Sequence, residues 1–363
     1  MTFDETVGSV RVTAQREDIV SRGTPALVGV SARPTQRDVA QRAGVSQATV
    51  SHVLRGHDSS VSPATRRRVL AALSEVAYAP NALAQALRGV KTTLYGMIVR
   101  NLSHPTISCM VEAVCGAARE NGYNVLIADA GRNAADALRV AALMKGRLCD
   151  GVILLGDLPD QDQLWDGYGE LGLPAVGLMQ GSVELPVPNV SIDNALGTEI
   201  ALSHLYELGH RRIAFVNVTP LQGARERLER YELFRSERSL DSDPSLVLGV
   251  GHGPAAGAMA AKKLLSLRKR PTAVLAATDE TAIGILAWAA QSGVPIPDHL
   301  SVVGFDDSPH AEFTVPPLTT VRQPMKEIVE RAIQLISQGV SHPASLYLIP
   351  PVLIVRKSTC SVR

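Results

Sequence analysis

Residues 34–88 read PTQRDVAQRAGVSQATVSHVLRGHDSSVSPATRRRVLAALSEVAYAPNALAQALR. A run of apolar residues at helical spacing begins just after Thr35, whose hydroxyl suits a helix N-cap, and stops at Gly44. A glycine at that position permits the left-handed turn that ends many helices. Ser46 is a second N-cap candidate and precedes apolar residues at helical spacing over 47–54. The pattern predicts two short helices joined by a turn of a few residues.

A third helix is predicted after Ser62 and Pro63, which favour the N-cap and the first helical turn. It covers residues 64–76. Its expected core-facing residues are Val69, Leu70, Leu73 and Val76. Helix, tight turn, helix and supporting helix form the helix–turn–helix arrangement, whose second helix lies in the major groove of DNA. The pattern therefore predicts a DNA-binding domain over residues 34–80, preceded by a flexible arm over residues 1–33.

A different pattern starts near Leu94. Short β-rich runs such as LYGMIV, NVLIAD, GVILLG and LSVVGF alternate with amphipathic stretches of helical length. This alternation is typical of parallel sheets with helices on both faces. The strands are too many for one sheet of usual size, which favours two lobes.

The motifs of both regions resemble the LacI/GalR family of bacterial transcriptional regulators. The similarity is close in DVAQRAGVSQATVSHVL and VSPATRRRVLAALSEVAYAPNALAQAL, and GVILLG, LGHRRIAFV, TDETAIG, VPIPDHLSVVGFDD and PPLTTVRQP follow in the family's order. It implies a hinge helix and linker over residues 81–92. Over residues 93–363 it implies a two-lobed α/β domain of the periplasmic-binding-protein-like type, with parallel doubly wound sheets, which binds an effector and dimerises. The chain would cross between the lobes near residues 190, 323 and 352.

Charge is unevenly spread along the chain. The 363 residues include 36 basic and 35 acidic ones, a net charge of +1. Residues 34–90 contain seven arginines against three acidic residues, a charge of +4, so the remainder sums to −3. A basic domain suits contact with DNA phosphates, because neutralising them releases counterions. A solvated surface is the alternative explanation of the same excess.

The second predicted helix carries the candidates for base reading. The resemblance places Gln47, Ala48 and His52 at the family's specificity positions. Gln47 can pair with adenine, Ala48 can meet a thymine methyl group, and His52 can donate to guanine. Alternatively, Gln47 and His52 are merely solvated. Further DNA-binding candidates are Thr35, Ser46, Thr49, Ser51 and Arg55, the last standing where many relatives have asparagine.

Residues 81–88 contain good helix formers in a segment too short to be stable alone in water. The resemblance implies a hinge helix that pairs with its dimer mate in the minor groove. Leu87 would wedge between base steps there, and Arg88 would reach a phosphate or the groove floor. Asn81 is a further DNA-binding candidate. A plain hydrophobic contact onto the regulatory domain is the alternative role of Leu87.

Effector-binding candidates follow predicted strands, because ligands of doubly wound sheets bind at the carboxyl ends of the strands. These candidates are Asn101, Met179, Arg227, Thr278, Asp279 and Asp306. The resemblance places Arg227 and Asp306 at positions that commonly hold an effector, although an interlobe salt bridge is the alternative for Arg227 and Asp279.

The effector site departs from the sugar-binding pattern of the family. Met179 stands where an acid often holds hydroxyls, and Thr278 stands where asparagine is common. Thr106 and Ile107 replace aromatic residues, which make up only 4% of the chain. A carbohydrate is therefore a weak default, and an anion or another metabolite stays open, as does the absence of any effector.

Catalytic signatures are missing: there is no G-x-S-x-G, no H-E-x-x-H and no P-loop. Cys109, Cys115, Cys149 and Cys360 lack metal-ligand spacing, so we expect no enzyme, no metal and no cofactor. Without an export signal or an apolar run of about 20 residues, a cytoplasmic protein is expected.

Together, these features predict a homodimeric repressor of a palindromic operator that responds to a small-molecule effector. A dimer is favoured over a tetramer because the chain ends soon after the strand-like VLIVRKS. Two alternatives stay open. One is a solute-binding protein of the same fold without a DNA role, and the other, weaker one is an enzyme built on the lobes.

Overall fold

The computed structural model describes residues 34–54, 61–78, 91–100, 102–131, 133–145, 148–158, 161–169, 172–179, 181–219, 221–339 and 344–362. By its internal contacts the chain divides into two compact units, Met1–Asn81 and Ala82–Arg363. The predicted arm over 1–33 and the candidates Arg55, Asn81, Leu87, Arg88 and Asn101 lie outside the described residues, as does the hinge segment up to residue 90.

The described residues of the first unit form three helices. They are α1 (Gln36–Ala43), α2 (Gln47–Leu54) and α3 (Pro63–Glu75). At the start of α1, the carboxylate of Asp38 accepts hydrogen bonds from the backbone N–H of Thr35 at 2.7 Å and from its hydroxyl at 2.8 Å. The side-chain oxygens of Ser46 and Ser62 accept from the N–H groups of Thr49 and Thr65, so both predicted caps are present.

A small apolar core holds these helices together. Its buried residues are Val39, Ala40, Ala43, Val50, Val53, Val69 and Ala72. The predicted core position of Leu70 is wrong, because 48% of this residue is exposed. Val69, Ala72, Leu73 and Val76 recur at spacings of three and four residues and share one face, whereas Leu70 lies about 100° around the helix from Val69.

The second unit contains two six-stranded sheets, each with helices packed around it. We call the first sheet and its helices the first lobe, and the second sheet and its helices the second lobe. The first sheet has the order β11-β5-β4-β3-β1-β2 and is parallel throughout; the second has the order β12-β10-β9-β8-β6-β7, with only the edge strand β12 antiparallel.

Strands and helices are numbered in chain order. The first sheet consists of β1 (Leu94–Val99), β2 (Asn124–Asp129), β3 (Gly151–Leu155), β4 (Ala175–Leu178), β5 (Asn189–Ile192) and β11 (Leu346–Ile349). The second consists of β6 (Ile213–Val218), β7 (Val247–Val250), β8 (Ala273–Ala276), β9 (Ser301–Asp306), β10 (Thr319–Arg322) and β12 (Val352–Ile354). The helices are α4 (Pro105–Glu120), α5 (Ala134–Lys145), α6 (Gln161–Gly169), α7 (Asn194–Glu207), α8 (Gln222–Glu237), α9 (Pro254–Leu265), α10 (Asp279–Gln291) and α11 (Met325–Ser337).

The chain crosses between the lobes three times. It leaves the first sheet after β5, because α7 packs on α8 and β12 in the second lobe. It returns after β10, since α11 packs on α4 and β4, and it crosses once more between β11 and β12. These places agree with the crossings expected near residues 190, 323 and 352. Among the described residues, no helix combines the length and hydropathy that a membrane span requires.

Two glycines allow α9 and α10 to pack with their backbones in contact. A Cβ atom on Gly257 would overlap the backbone of Thr281, and one on Gly284 would overlap the backbone carbonyl of Pro254. Because the obstacle is backbone rather than a movable side chain, neither position leaves room for a larger residue.

The substitution Gly284→Ala should lower the free energy of unfolding by about 1–3 kcal/mol, the usual cost of overpacking. Gly116→Ala in α4 is the matched control, because a Cβ there meets nothing within 4 Å. Alanine in a helix interior normally stabilises by about 0.5–1 kcal/mol over glycine. Urea unfolding of the full chain measures both, and equal stability of the two variants would contradict the close packing of α9 on α10.

Candidate functional site

Helix α2 presents a polar surface. Its apolar residues Val50 and Val53 are buried against the other two helices, while Gln47, Ala48 and His52 are exposed. The three residues predicted to read bases therefore lie on the exposed side of α2. The predicted backbone contacts are also accessible, since Thr35 and Ser46 are exposed and Thr49 and Ser51 are partly exposed.

The turn between α1 and α2 has a defined geometry. Gly44 adopts a φ of 63°, in the left-handed region that glycine enters without cost. Its N–H donates to Gln41, and the N–H of Val45 donates to the carbonyl of Ala40 at 3.0 Å, which completes a Schellman motif. A guanidinium N–H of Arg68 on α3 donates to the carbonyl of Gly44 at 3.3 Å. The third helix thus holds the turn that orients α2.

In the second unit, a cavity of about 320 Å³ lies between the lobes, at the carboxyl ends of the strands. Four predicted effector residues line it: Met179, Arg227, Thr278 and Asp306. Thr106 and Ile107 line it as well. Asp279 is completely buried and is not part of the lining, and Asn101 lies outside the described residues.

Arg227 is only 6% exposed, and its neighbours hold the side chain in place. Its Nε donates to Oδ1 of Asn194 at 2.9 Å, and another of its N–H groups donates to the backbone carbonyl of Ala277. The guanidinium carbon lies 3.6 Å from the centre of the Phe305 ring. Burial lowers the pKa of Arg227, and the nearby carboxylate of Asp306 opposes that shift. The side chain therefore keeps one orientation beside the cavity.

Asp306 has a backbone φ of 128°, which is strained for a residue with a side chain. Its carboxylate accepts from the amide of Gln323 at 2.6 Å. Behind it, the carboxylate of Asp279 accepts from the N–H of Ser308 at 2.6 Å and from the hydroxyl of Thr320. Burial raises the pKa of both Asp279 and Asp306, and repulsion from Asp306 adds to the rise at Asp279.

Several lining residues were not among the predicted candidates. Asp157 and His252 follow β3 and β7, so the rule that selected the other candidates would also have found them. Asn194, at the start of α7, and Gln323 likewise come closely after β5 and β10, so the same rule would have found them. His104 lies just before α4, where alternation of strands and helices carries no signal. In the described part of the chain, four buried polar atoms of the lining have no hydrogen-bond partner: His104 Nδ1, Asp157 Oδ1, Ser191 Oγ and Gln323 Oε1.

Known proteins match both units. A model of bacterial regulatory proteins of the lacI family matches residues 35–81, and a model of a periplasmic binding protein-like domain matches residues 202–359. The HTH-type transcriptional regulator DegA of Bacillus subtilis is 31% identical over 333 residues, which cover 90% of this chain and 98% of DegA. The transcriptional repressor CytR of Escherichia coli is 33% identical over 331 residues, which cover 90% of this chain and 96% of CytR. The chain belongs to the LacI family.

Solved structures of LacI-family proteins have the same architecture. The lac repressor dimer, bound to operator and the anti-inducer ONPF, matches with a TM-score of 0.81 at 27% identity, over 90% of this chain and 99% of the repressor chain. The regulator CelR in complex with cellobiose matches with a TM-score of 0.65 at 32% identity, over 90% of this chain and 100% of CelR. The predicted fold is confirmed, and so is the prediction of a DNA-binding transcriptional regulator.

In this LacI-family protein, the raised pKa values of Asp279 and Asp306 predict that stability depends on pH. A carboxyl group with a raised pKa binds its proton more tightly in the folded state than in the unfolded state. The free energy of unfolding therefore falls as the pH rises from the ordinary pKa of 3.8 through the raised value.

Asp279→Asn removes one of the two carboxyl groups with a raised pKa, so the stability of this variant should decline less steeply between about pH 4 and pH 7. Urea unfolding at a series of pH values measures the slope. Asp166→Asn, on an exposed position of α6, is the control and should decline like the parent. An equal slope for Asp279→Asn and the parent would contradict the raised pKa of Asp279.

Proposed function

We propose that this regulator is a homodimeric repressor that binds a near-palindromic operator and is controlled by a small molecule in the interlobe cavity. One observation carries the proposal. A single chain combines a helix with an exposed, polar face in a helix–turn–helix unit and, in a second unit, a polar cavity with buried atoms that have no partner among the described residues. The two-fold symmetry of a dimer would mirror that of its operator.

In this proposal Gln47, Ala48 and His52 read base edges, because their exposure leaves them accessible to a DNA groove. The other residues assigned to DNA contacts are Thr35, Ser46, Thr49, Ser51, Arg55, Asn81, Leu87 and Arg88. The hydroxyl of Ser46 already accepts from the N–H of Thr49, so the contact of this residue to a phosphate would come from its own hydroxyl proton. Leu87 is assigned the minor-groove wedge.

The cavity suits a small ligand with several hydrogen-bond donors. Oδ1 of Asp157, Oγ of Ser191 and Oε1 of Gln323 are acceptors without a partner among the described residues, and burial makes such atoms costly unless a ligand satisfies them. Arg227 and Asp306 supply a donor and an acceptor side by side. The lining that the structure describes contains two histidines but no phenylalanine, tyrosine or tryptophan. A hydroxylated metabolite held by hydrogen bonds rather than by ring stacking fits best.

Ligand binding would change the angle between the lobes and thereby the hinge segments that bind DNA. A coupling free energy of about 1–3 kcal/mol changes operator affinity roughly 5–150-fold. Binding rather than catalysis is the proposed role of the cavity, so this regulator would not be an enzyme. Because a transcriptional regulator acts on the DNA of its own cell, we place its action in the cytoplasm.

Selection of the full-length protein on a random duplex pool, followed by sequencing, tests the DNA role. A palindrome should be enriched at near-physiological salt. Failure to enrich any sequence, with and without a metabolite mixture, would instead favour a solute-binding protein of the same fold.

Gln47→Ala should change the preferred base at one position of each half-site and weaken binding to the parental operator by about 1–3 kcal/mol, the value of a bidentate contact to a base. Gln291→Ala, which removes an exposed glutamine of the second unit, is the control. Electrophoretic mobility shifts on operators with single base changes measure both. A uniform loss on all sequences would make Gln47 a positioning residue.

Asp306→Asn tests the cavity. A metabolite that raises the melting temperature of the parent should lose this effect in the variant, because the substitution removes the negative charge and replaces one acceptor oxygen of the carboxylate by a donor group. Operator binding without the metabolite should remain. A metabolite that stabilises parent and variant equally binds elsewhere.

A further inference from the structure

Helix α8 begins without a capping side chain of its own. Leu221 occupies the N-cap position and offers no hydrogen-bonding side chain. The backbone N–H of Gln222 donates instead to the carboxylate of Asp157 at 3.0 Å. Asp157 follows β3 and belongs to the first lobe, whereas α8 belongs to the second. Because free N–H groups at a helix start require a partner, the opposite lobe supplies the cap of α8.

A second contact across the cleft lies one turn further along α8. The carboxylate of Glu226 accepts from the N–H of Ser182 at 2.5 Å and from its hydroxyl at 3.1 Å. Ser182 lies between β4 and β5 in the first lobe. The two contacts are reciprocal, since each lobe supplies one carboxylate and receives backbone or hydroxyl donors from the other.

Glu226 also contacts the residue that holds Arg227. Its carboxylate accepts from the side-chain amide of Asn194 at 2.8 Å. The other end of that amide, Oδ1, accepts from Nε of Arg227 at 2.9 Å. Asn194 is 1% exposed, so solvent offers no substitute partner. A continuous chain of hydrogen bonds therefore joins Ser182 of the first lobe to Arg227 beside the cavity.

We propose that Glu226 is a positioning residue that couples closure of the lobes to the orientation of Arg227. When the lobes separate, Glu226 loses Ser182, and the N-terminus of α8 loses Asp157. Without these contacts Glu226 holds Asn194 less firmly, and the orientation of Arg227 is less fixed, although Ala277 and Phe305 still contact it. The inference rests on the proposed function, because it gives Arg227 its role in effector binding, but Glu226 itself does not line the cavity.

Hydrogen exchange of the full-length protein tests the contact directly, because the Ser182 amide is itself the donor. Glu226→Gln keeps the size of the side chain but replaces one acceptor oxygen by a donor. The Ser182 amide should exchange about tenfold faster or more in this variant, the effect of losing a hydrogen bond to a charged group. Amides of β4 and of the middle of α8 should keep the parental rate, whereas a merely structural defect would accelerate them too.

Glu229→Gln is the matched control. Glu229 lies on the same helix, is largely exposed and pairs with Arg225 at 3.5 Å within that helix. This variant should leave the exchange of Ser182 unchanged. If the Ser182 amide of Glu226→Gln exchanged at the parental rate, the proposed role of the contact between Glu226 and Ser182 would be overturned. Uniformly faster exchange would overturn the positioning role in favour of a structural one.

Operator affinity provides the second measurement. On the palindrome recovered from selection, Glu226→Gln should change the dissociation constant at least fivefold, while Glu229→Gln should match the parent. Equal affinities for parent and Glu226→Gln would overturn the coupling. If the parent itself enriched no palindrome, the proposed function would fail, and hydrogen exchange, which needs no DNA, would still decide whether the contact between Glu226 and Ser182 holds the lobes.

Discussion

Burial of the Arg227 guanidinium is the constraint on which the cleft depends. A buried charge is costly unless it is paired and hydrogen-bonded. Asn194, the carbonyl of Ala277 and the face of Phe305 satisfy three sides of it, and Asp306 supplies the opposing charge. These groups come from α7, β8 and β9 and from the turns after them. Residues of the second lobe therefore surround the Arg227 guanidinium, and the part of this group that they leave uncovered lines the cavity.

In the first unit, helix caps and turns fix the structure more than the small apolar core does. Its seven buried residues in the described part of the unit are all valine or alanine, which bury little apolar surface. The structure of this unit therefore depends to a large extent on local contacts. These are the helix N-caps at Ser46 and Ser62, the left-handed turn at Gly44 and the hydrogen bond from Arg68. A recognition helix benefits from this arrangement, because its outer face stays free of core-forming residues.

Local signals explain what could be predicted from the sequence. The boundaries of α2 were predicted correctly and those of α3 to within one residue, because caps and prolines act on their own neighbours. Leu70 was assigned to the wrong face because apolar character alone does not tell which side of a helix meets the core. In the second unit, strand ends predicted Arg227, Thr278 and Asp306 near the cavity. Adjacent residues point differently, however, so Asp279 faces Thr320 rather than the cavity.

The contacts across the cleft could not be predicted, because they join residues far apart in sequence. Ser182 and Glu226 are 44 residues apart, and Asp157 and Gln222 are 65 apart. Neither pair follows a spacing rule. Both pairs act on the first turns of α8, and Arg227 follows Glu226 directly. One short helical segment thus carries the cation that lines the cavity and the contacts to the other lobe. Under the proposed function, a ligand that binds Arg227 would therefore act on the same segment that contacts the first lobe.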